Sequence, residues 1–280
     1  MSTTGVWVSL FVLGVVPLGY PSEPAAPQPP ESPVVIPAGP GPIPGERLAF
    51  HGRWLGIPVG YGWIEVKGIV EVEGRQAIQI EAHGYTNQIL SQFYPIHDTL
   101  RSYLDAETLE PLRFEKDQRE GHYRAHEVVT FDRQRRIATY RSLLNQSVKE
   151  IRLPDEFQDL LSAFYWFRTQ SIRPGQPMSL EVYTDEKMYD TTLDISQPFL
   201  LELLKRGSFL CVTVEPKASF QGLLVRRGRL WAYMTADAYR LPLLVKATTP
   251  WGPMSAVLEE SSITKPVRPP HHAGGDSAGP

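Results

Sequence analysis

The chain has 280 residues, 28 basic against 31 acidic, and 42% of it is hydrophobic. A net charge of −3, with no basic stripe interleaved with aromatics, excludes a nucleic-acid binder held by bulk charge. Cys211 is the only cysteine, which excludes an intramolecular disulfide; within Ser-Phe-Leu-Cys-Val-Thr-Val it reads as a small buried hydrophobe.

Residues 6–19 form an apolar run too short for a full membrane span, which needs about 20 residues. The run reads as an export signal or an N-terminal membrane anchor, assigned to residues 1–19. Residues 20–45 carry ten prolines between Pro21 and Pro44 and read as an extended, semi-rigid linker. The folded domain is expected over residues 46–263, and residues 264–280, rich in Pro, Gly and His, as a disordered tail.

Within the domain, Leu48, Phe50, Gly52 and Trp54 alternate with polar neighbours, as in a half-buried strand. Strands follow at 59–72, 75–82, 96–104, 111–118, 123–131, 137–141 and 147–153, separated by Gly, Asp and Asn turns. Gly60, Gly62 and Gly68 mark close approach or bending within the second of these strands. Residues 87–94 read as a short helix ended by Pro95. After residue 174, strands are expected at 178–184, 187–195, 208–214, 229–235, 241–248 and 254–260. Short connections favour antiparallel pairing of successive strands.

One longer helix interrupts this pattern, predicted over 155–171. Asp155 is placed to cap it with Gln158 as capping-box partner, and Phe157, Leu160, Leu161, Phe164 and Phe167 make an apolar stripe. The expected fold is therefore mainly β: a large curved antiparallel sheet, an open or closed barrel, packed on one central amphipathic helix.

Several segments resemble a bacterial envelope family catalogued as domain of unknown function 3108. They are Trp54-Leu55-Gly56-Ile57-Pro58-Val59-Gly60, Ser102-Tyr103-Leu104-Asp105 with Pro111-Leu112-Arg113-Phe114, and Glu120-Gly121-His122-Tyr123. Asp159-Leu160-Leu161-Ser162-Ala163 with Arg168 and Pro174-Gly175, and Trp231 to Asp237 with Arg240-Leu241-Pro242, complete the set. The resemblance implies an exported antiparallel β domain, located in the periplasm or cell envelope, with no catalytic residues to transfer. A more distant architectural analogy is to periplasmic lipoprotein carriers, which wrap an open half-barrel around helices.

Reactive constellations are hard to find. His122 and His126 share a strand face but lie roughly 13 Å apart along it, too far to hold one metal ion. There is no Gly-x-Ser-x-Gly elbow and no His-Glu-x-x-His. No catalytic residue, metal or cofactor is expected. The aromatics Trp54, Trp63, Phe93, Tyr94, Tyr165 and Trp166 are the candidate lining of an apolar groove, and Arg240 is a weak candidate anion clamp beside Asp237. The function expected is a non-enzymatic envelope protein that binds a hydrophobic or amphipathic ligand, such as a lipid or lipoprotein, or a partner protein. The N-terminal segment would supply any membrane association. Two alternatives are an envelope assembly or structural protein without a small ligand, and a cell-wall or capsule hydrolase using acids such as Glu65, Glu81 and Asp98 with His97.

Overall fold

The computed structural model describes residues 34–203, 206–220, 223–224, 228–249 and 252–262. The expected export segment and C-terminal tail lie outside the described residues. The alternating segments form strands. β1 (Arg47–Trp54), β2 (Ile57–Val72), β3 (Arg75–Thr86), β4 (His97–Asp105), β5 (Pro111–Glu120), β6 (Tyr123–Asp132), β7 (Ile137–Ser142) and β8 (Val148–Arg152) pair in sequence as an antiparallel meander. Then come β9 (Gln158–Asp159), the helix α1 (Ser162–Thr169), β10 (Met178–Thr184), β11 (Lys187–Ile195), β12 (Phe199–Leu203), β13 (Gly207–Phe220), β14 (Leu223–Leu224), β15 (Leu230–Thr235), β16 (Pro242–Thr249) and β17 (Gly252–Ser261).

β17 pairs with β1 and so joins both halves into a single sheet. From one edge to the other the order is β8-β7-β6-β5-β4-β3-β2-β1-β17-β16-β15-β13-β11-β10-β9. The long β13 pairs first with β12 and then with β11 along one side. The strand β12 was not expected, because Phe-Leu-Leu-Glu-Leu lacks a clean alternation. The expected helix at 87–94 is reduced to one 3-10 turn, Leu90–Gln92.

Glycine permits the sheet's tight bend in β2. A Cβ on Gly60 would lie 2.1 Å from the Tyr85 carbonyl oxygen, and one on Gly62 would lie 2.4 Å from that of His83. At Gly68 the register shifts and φ is +124°, so β2 changes direction there through a bulge.

The sheet is not closed by a backbone ladder: among the described residues no pairing joins β8 to β9 or β10. Side chains bridge that seam. Lys116 on β5 meets Asp185 at 3.2 Å and Glu127 at 2.9 Å, and Lys149 on β8 pairs with Glu186. Burial pulls the Lys116 ammonium down, but the carboxylates of Asp185 and Glu127 outweigh it and hold the ammonium protonated. Below them Phe131 and Tyr183 pack edge to face at 5.4 Å.

The helix is shorter than the predicted 155–171. Gln158 and Asp159 pair in parallel with Val182 and Tyr183, so strand bonding takes the first predicted turn. Asp155 is exposed and pairs with Arg136 rather than capping. The cap is Asp159, four residues later. Its Oδ1 accepts the N–H groups of Leu161 and Ser162 at 2.8 Å each, while Ser162 Oγ accepts the Asp159 N–H at 2.8 Å. Ser102 Oγ donates to the other carboxylate oxygen at 2.5 Å. Tyr165 belongs to one apolar cluster and Phe167 to a second, while Phe164 packs against both of these and a third.

Residues 34–45, expected as part of a free linker, dock instead. Ile36 is buried, exchanges both backbone hydrogen bonds with Ile172, and the Gly39 N–H donates to the Arg168 carbonyl. Pro42 is buried as well, and the Gly45 N–H donates to the Val66 carbonyl. Arg240 fixes the segment: Nη2 donates to the carbonyls of Ile36, Pro37 and Gln170, and Nη1 to those of Phe167 and Arg168, at 2.5–3.3 Å. Close by in the chain, the fully buried Arg168 pairs with the fully buried Glu46.

Three outcomes follow from these contacts. Arg240→Lys, which cannot match a planar fork to several carbonyls, lowers unfolding free energy by about 2–4 kcal/mol in urea titration. Glu46→Leu or Arg168→Met alone costs about 3–5 kcal/mol by leaving a buried charge unpaired, and the double variant costs less than the sum in a double-mutant cycle. Burial pushes the Asp159 carboxyl up to about 6, against the opposing pull of Ser102 and the backbone N–H groups of Ser162 and Leu161. Because the folded value is raised, Asp159 contributes stability that is present in acid and lost as pH rises toward 6. The stability difference between wild type and Asp159→Asn should therefore fall between pH 4 and 6, by at most about 1.4 kcal/mol per unit, and flatten above.

Candidate functional site

The strands after the helix do not fill the space they enclose. Their inward positions alternate large and small residues: Leu180 and Val182 on β10, Thr191 and Leu193 on β11, Pro216 and Ala218 on β13, Ala232 and Met234 on β15. Phe164 and Phe167 of α1 face the same space, with Ala163 immediately before Phe164. The result is a cavity of about 160 Å³ between the helix and β10, β11, β13 and β15. Thr184, Thr191 and Tyr189 supply the only polar side-chain atoms in its lining. An apolar cavity near 150 Å³ stays dry and can hold a small hydrophobic molecule.

A smaller cavity, about 80 Å³, lies where glycines thin the wall of β1, β2 and β3: Gly52, Gly62 and Gly84 line it with Phe50 and Met254. Ile64 and Val245 border both cavities, so the two adjoin. At the seam, Leu160 and Thr184 belong both to the 160 Å³ cavity and to the lining around Lys116, Glu127, Asp185 and Glu186. A charged cluster thus stands at one end of an apolar hollow.

The six aromatics proposed from sequence do not meet. Tyr165 is buried in the core around Ile80, Leu100 and Phe114, and burial, with Glu46 nearby, pushes its hydroxyl well above the ordinary tyrosine range. Trp166 follows it on the helix, against the cluster of Ile36, Phe167 and Ile172. Tyr165 and Trp166 also border a separate cavity of about 290 Å³ whose lining includes the Arg133–Glu110 ion pair, 2.7 Å. Trp63 lies on the outer face of β2, stacked on His83 at 4.7 Å and Tyr85 at 5.4 Å, with the Arg47 guanidinium 4.9 Å from its ring. It does border the smaller cavity. Trp54 ends β1 at the rim, and Phe93 and Tyr94 lie on the exposed turn after β3.

Arg240 is no anion clamp. It has zero exposure, and five backbone carbonyls take its two terminal nitrogens. Burial, and Arg168 nearby, pull its guanidinium down to about 10. Asp237 does not pair with the guanidinium; its Oδ1 accepts the backbone N–H groups of Tyr239 and Arg240 and the Thr235 hydroxyl.

The acids considered for hydrolysis are dispersed among cations and amides. Glu65 pairs with Lys67 at 3.2 Å and Glu81 with Arg101 at 2.8 Å. Asp98 is buried with Glu120, and the Gln118 amide reaches both at 3.3 and 3.5 Å. Burial raises the Asp98 carboxyl, outweighing its hydrogen bonds from Glu120, Arg119 and Gln118. Among the described residues no group of three or more His, Cys, Asp or Glu is placed to hold a metal ion.

Sequence reasoning missed the residues that line the apolar cavity between α1 and β10, β11, β13 and β15. The signal was present in the small inward residues Ala163, Ala218 and Ala232, which leave volume that no neighbouring large side chain takes up. Cys211 sits in the cluster of Leu48, Phe209 and Leu243, where burial, with Asp237 nearby, pushes its thiol up to about 12. Native protein should therefore leave a thiol-reactive chromophore unreduced at pH 8, with one equivalent released only on unfolding; rapid reaction of the native chain would contradict that burial.

The chain belongs to the family described as protein of unknown function (DUF3108), whose sequence profile matches residues 49–259. A comparison with functionally described proteins finds no match. The fold is similar to that of a crystallised beta-barrel-like protein of domain of unknown function DUF1849 from Brucella abortus. That likeness has a TM-score of 0.53 at 7% identity and covers 80% of this chain and 100% of that one. A protein from Bacteroides fragilis described as exported, with a YmcC-like fold, matches at 11% identity and TM-score 0.30, covering 81% of this chain and 99% of the other. One from Parabacteroides distasonis described as a lipoprotein matches at 8% and 0.29, covering 79% and 96%. Scores of 0.30 and 0.29 establish no shared fold.

Proposed function

We propose that this protein is a non-enzymatic component of the cell envelope that holds a hydrophobic or amphipathic ligand in the cavity between α1 and β10, β11, β13 and β15. The observation that carries the reading is the cavity's chemistry: about 160 Å³, bounded almost wholly by aliphatic and aromatic side chains. Its size selects among ligands. Drug-sized molecules occupy pockets of roughly 300–1,000 Å³, so the space suits a slender apolar group, an acyl chain or a hydrophobic side chain of a partner. The adjoining 80 Å³ hollow past Ile64 and Val245 gives such a chain room to extend. The Lys116, Glu127, Asp185 and Glu186 cluster would meet a polar headgroup left at the seam. Envelope placement is supported by the apolar run at residues 6–19 and the proline-rich stretch behind it.

Two measurements test this. Mass spectrometry of organic extracts from protein purified out of its native envelope should find a stoichiometric lipid or other apolar compound. In the purified full chain, cis-parinaric acid, a slender fluorescent acyl chain, should bind with enhanced fluorescence, and Ala232→Phe, which fills the cavity, should weaken it about tenfold without altering circular dichroism. An empty extract together with no probe binding would remove the reading.

A further inference from the structure

One end of the sheet differs in chemistry from the other. The β1–β2 turn presents Leu55 and Ile57 at 56% and 63% exposure, and the loop between β3 and β4 presents Ile89 at 75%, Phe93 at 79% and Tyr94 at 39%. These loops are physically adjacent. Asn87 donates from its backbone to the Val59 carbonyl and from its side chain to that of Pro58, at 2.8 Å each. The β16–β17 connection joins them: the Leu55 N–H donates to the Pro253 carbonyl at 2.9 Å, and a Cβ on Gly252 would lie 2.8 Å from Leu55 Cδ2.

Neither 55–58 nor 87–95 contains Asp, Glu, Lys, Arg or His, and Gly252 and Pro253 beside them carry no charge. Isolated exposed apolar residues are ordinary on a protein surface, but a contiguous set on neighbouring uncharged loop tips marks an interaction surface. Positive charge borders it. Arg53 is exposed one residue before Trp54, and Arg124 is exposed with Nη1 donating to the Gly121 carbonyl, on the turn against which the Tyr94 ring packs. Arg229 precedes β15 at the same end, where the Thr248 N–H donates to its carbonyl and its guanidinium pairs with Glu215.

We infer that this rim inserts into the interfacial region of an anionic lipid bilayer, with the aliphatic and aromatic tips below the headgroups and the arginines among them. Aromatic and aliphatic side chains at the depth of the headgroups, flanked by basic residues, are what a membrane interface selects. A protein groove would satisfy the apolar tips, but the surrounding positive charge is complementary to anionic headgroups. The inference stands independently of what fills the interior cavity.

The test uses the full chain, labelled with an environment-sensitive nitrobenzoxadiazole at Phe93→Cys or, as control, at Glu71→Cys, near the other end of β2. Cys211 is buried and stays unlabelled. With vesicles of phosphatidylethanolamine and phosphatidylglycerol, the label at 93 should brighten and be quenched by doxyl lipids, while the label at 71 stays aqueous. Uncharged phosphatidylcholine vesicles should give a weaker response at 93. Adding Ile57→Ser and Ile89→Ser should reduce partitioning of the 93 label about tenfold with unchanged thermal unfolding. A label at 93 that stays water-exposed on anionic vesicles overturns the inference, as does equal quenching at both positions. A label at 93 already shielded in lipid-free solution, whether by a second copy or by the chain's own N-terminal segment, overturns it equally.

Discussion

The guanidinium of Arg240 is the constraint on which the arrangement of helix and strands depends. It sits out of water at the corner before β16 and gives its hydrogens to carbonyls of Ile36, Pro37, Phe167, Arg168 and Gln170. Those carbonyls belong to the incoming N-terminal segment and to the end of α1, where a helix leaves its last carbonyls without partners. One side chain therefore terminates the helix, fixes the segment ahead of β1 and sets the corner from which β16 departs. A burial this complete is costly unless the charge is well solvated by the protein, and here the backbone solvates it. The neighbouring Arg168–Glu46 pair follows the opposite arrangement, charge against charge; it leaves Glu46 Oε2 and Arg168 Nε and Nη2 without hydrogen-bond partners, against Nε alone in Arg240.

With the helix end fixed, its other side chains can border the interior without filling it. Phe164 reaches three apolar clusters at once, yet Ala163 beside it leaves space against β10, β11, β13 and β15. The cavity is thus a consequence of small residues on inward strand positions around a rigidly held helix. A well-packed interior would have placed larger side chains at Ala218 and Ala232.

Much of this was legible from sequence because a strand's period of two declares itself residue by residue. The runs 178–184 and 187–195 coincide with β10 and β11, and Gly60, Gly62 and Gly68 do occupy close approaches and a bulge. The helix start was misplaced because Asp155 and Asp159 are equally good caps by composition; only the pairing of Gln158 with Val182, a contact distant in sequence, decides between them. The candidate groove was misassigned for a similar reason. Aromatic content does not say which face a residue takes, and Trp63 stacks outward on His83 and Tyr85 while Tyr165 is buried in a core. Arg240 resembled a surface clamp because its carbonyl partners lie some 70 and 200 residues away in the chain.

An unclosed sheet leaves a margin at which a foreign strand could add. One such margin is β8, Val-Lys-Glu-Ile-Arg, largely exposed, with Lys149 tied to Glu186. Alternating cations and an acid along so short a stretch would have to be stripped of water, and that ion pair rearranged, before another chain could extend the array. The composition of these five residues therefore guards that edge against edge-to-edge polymerisation.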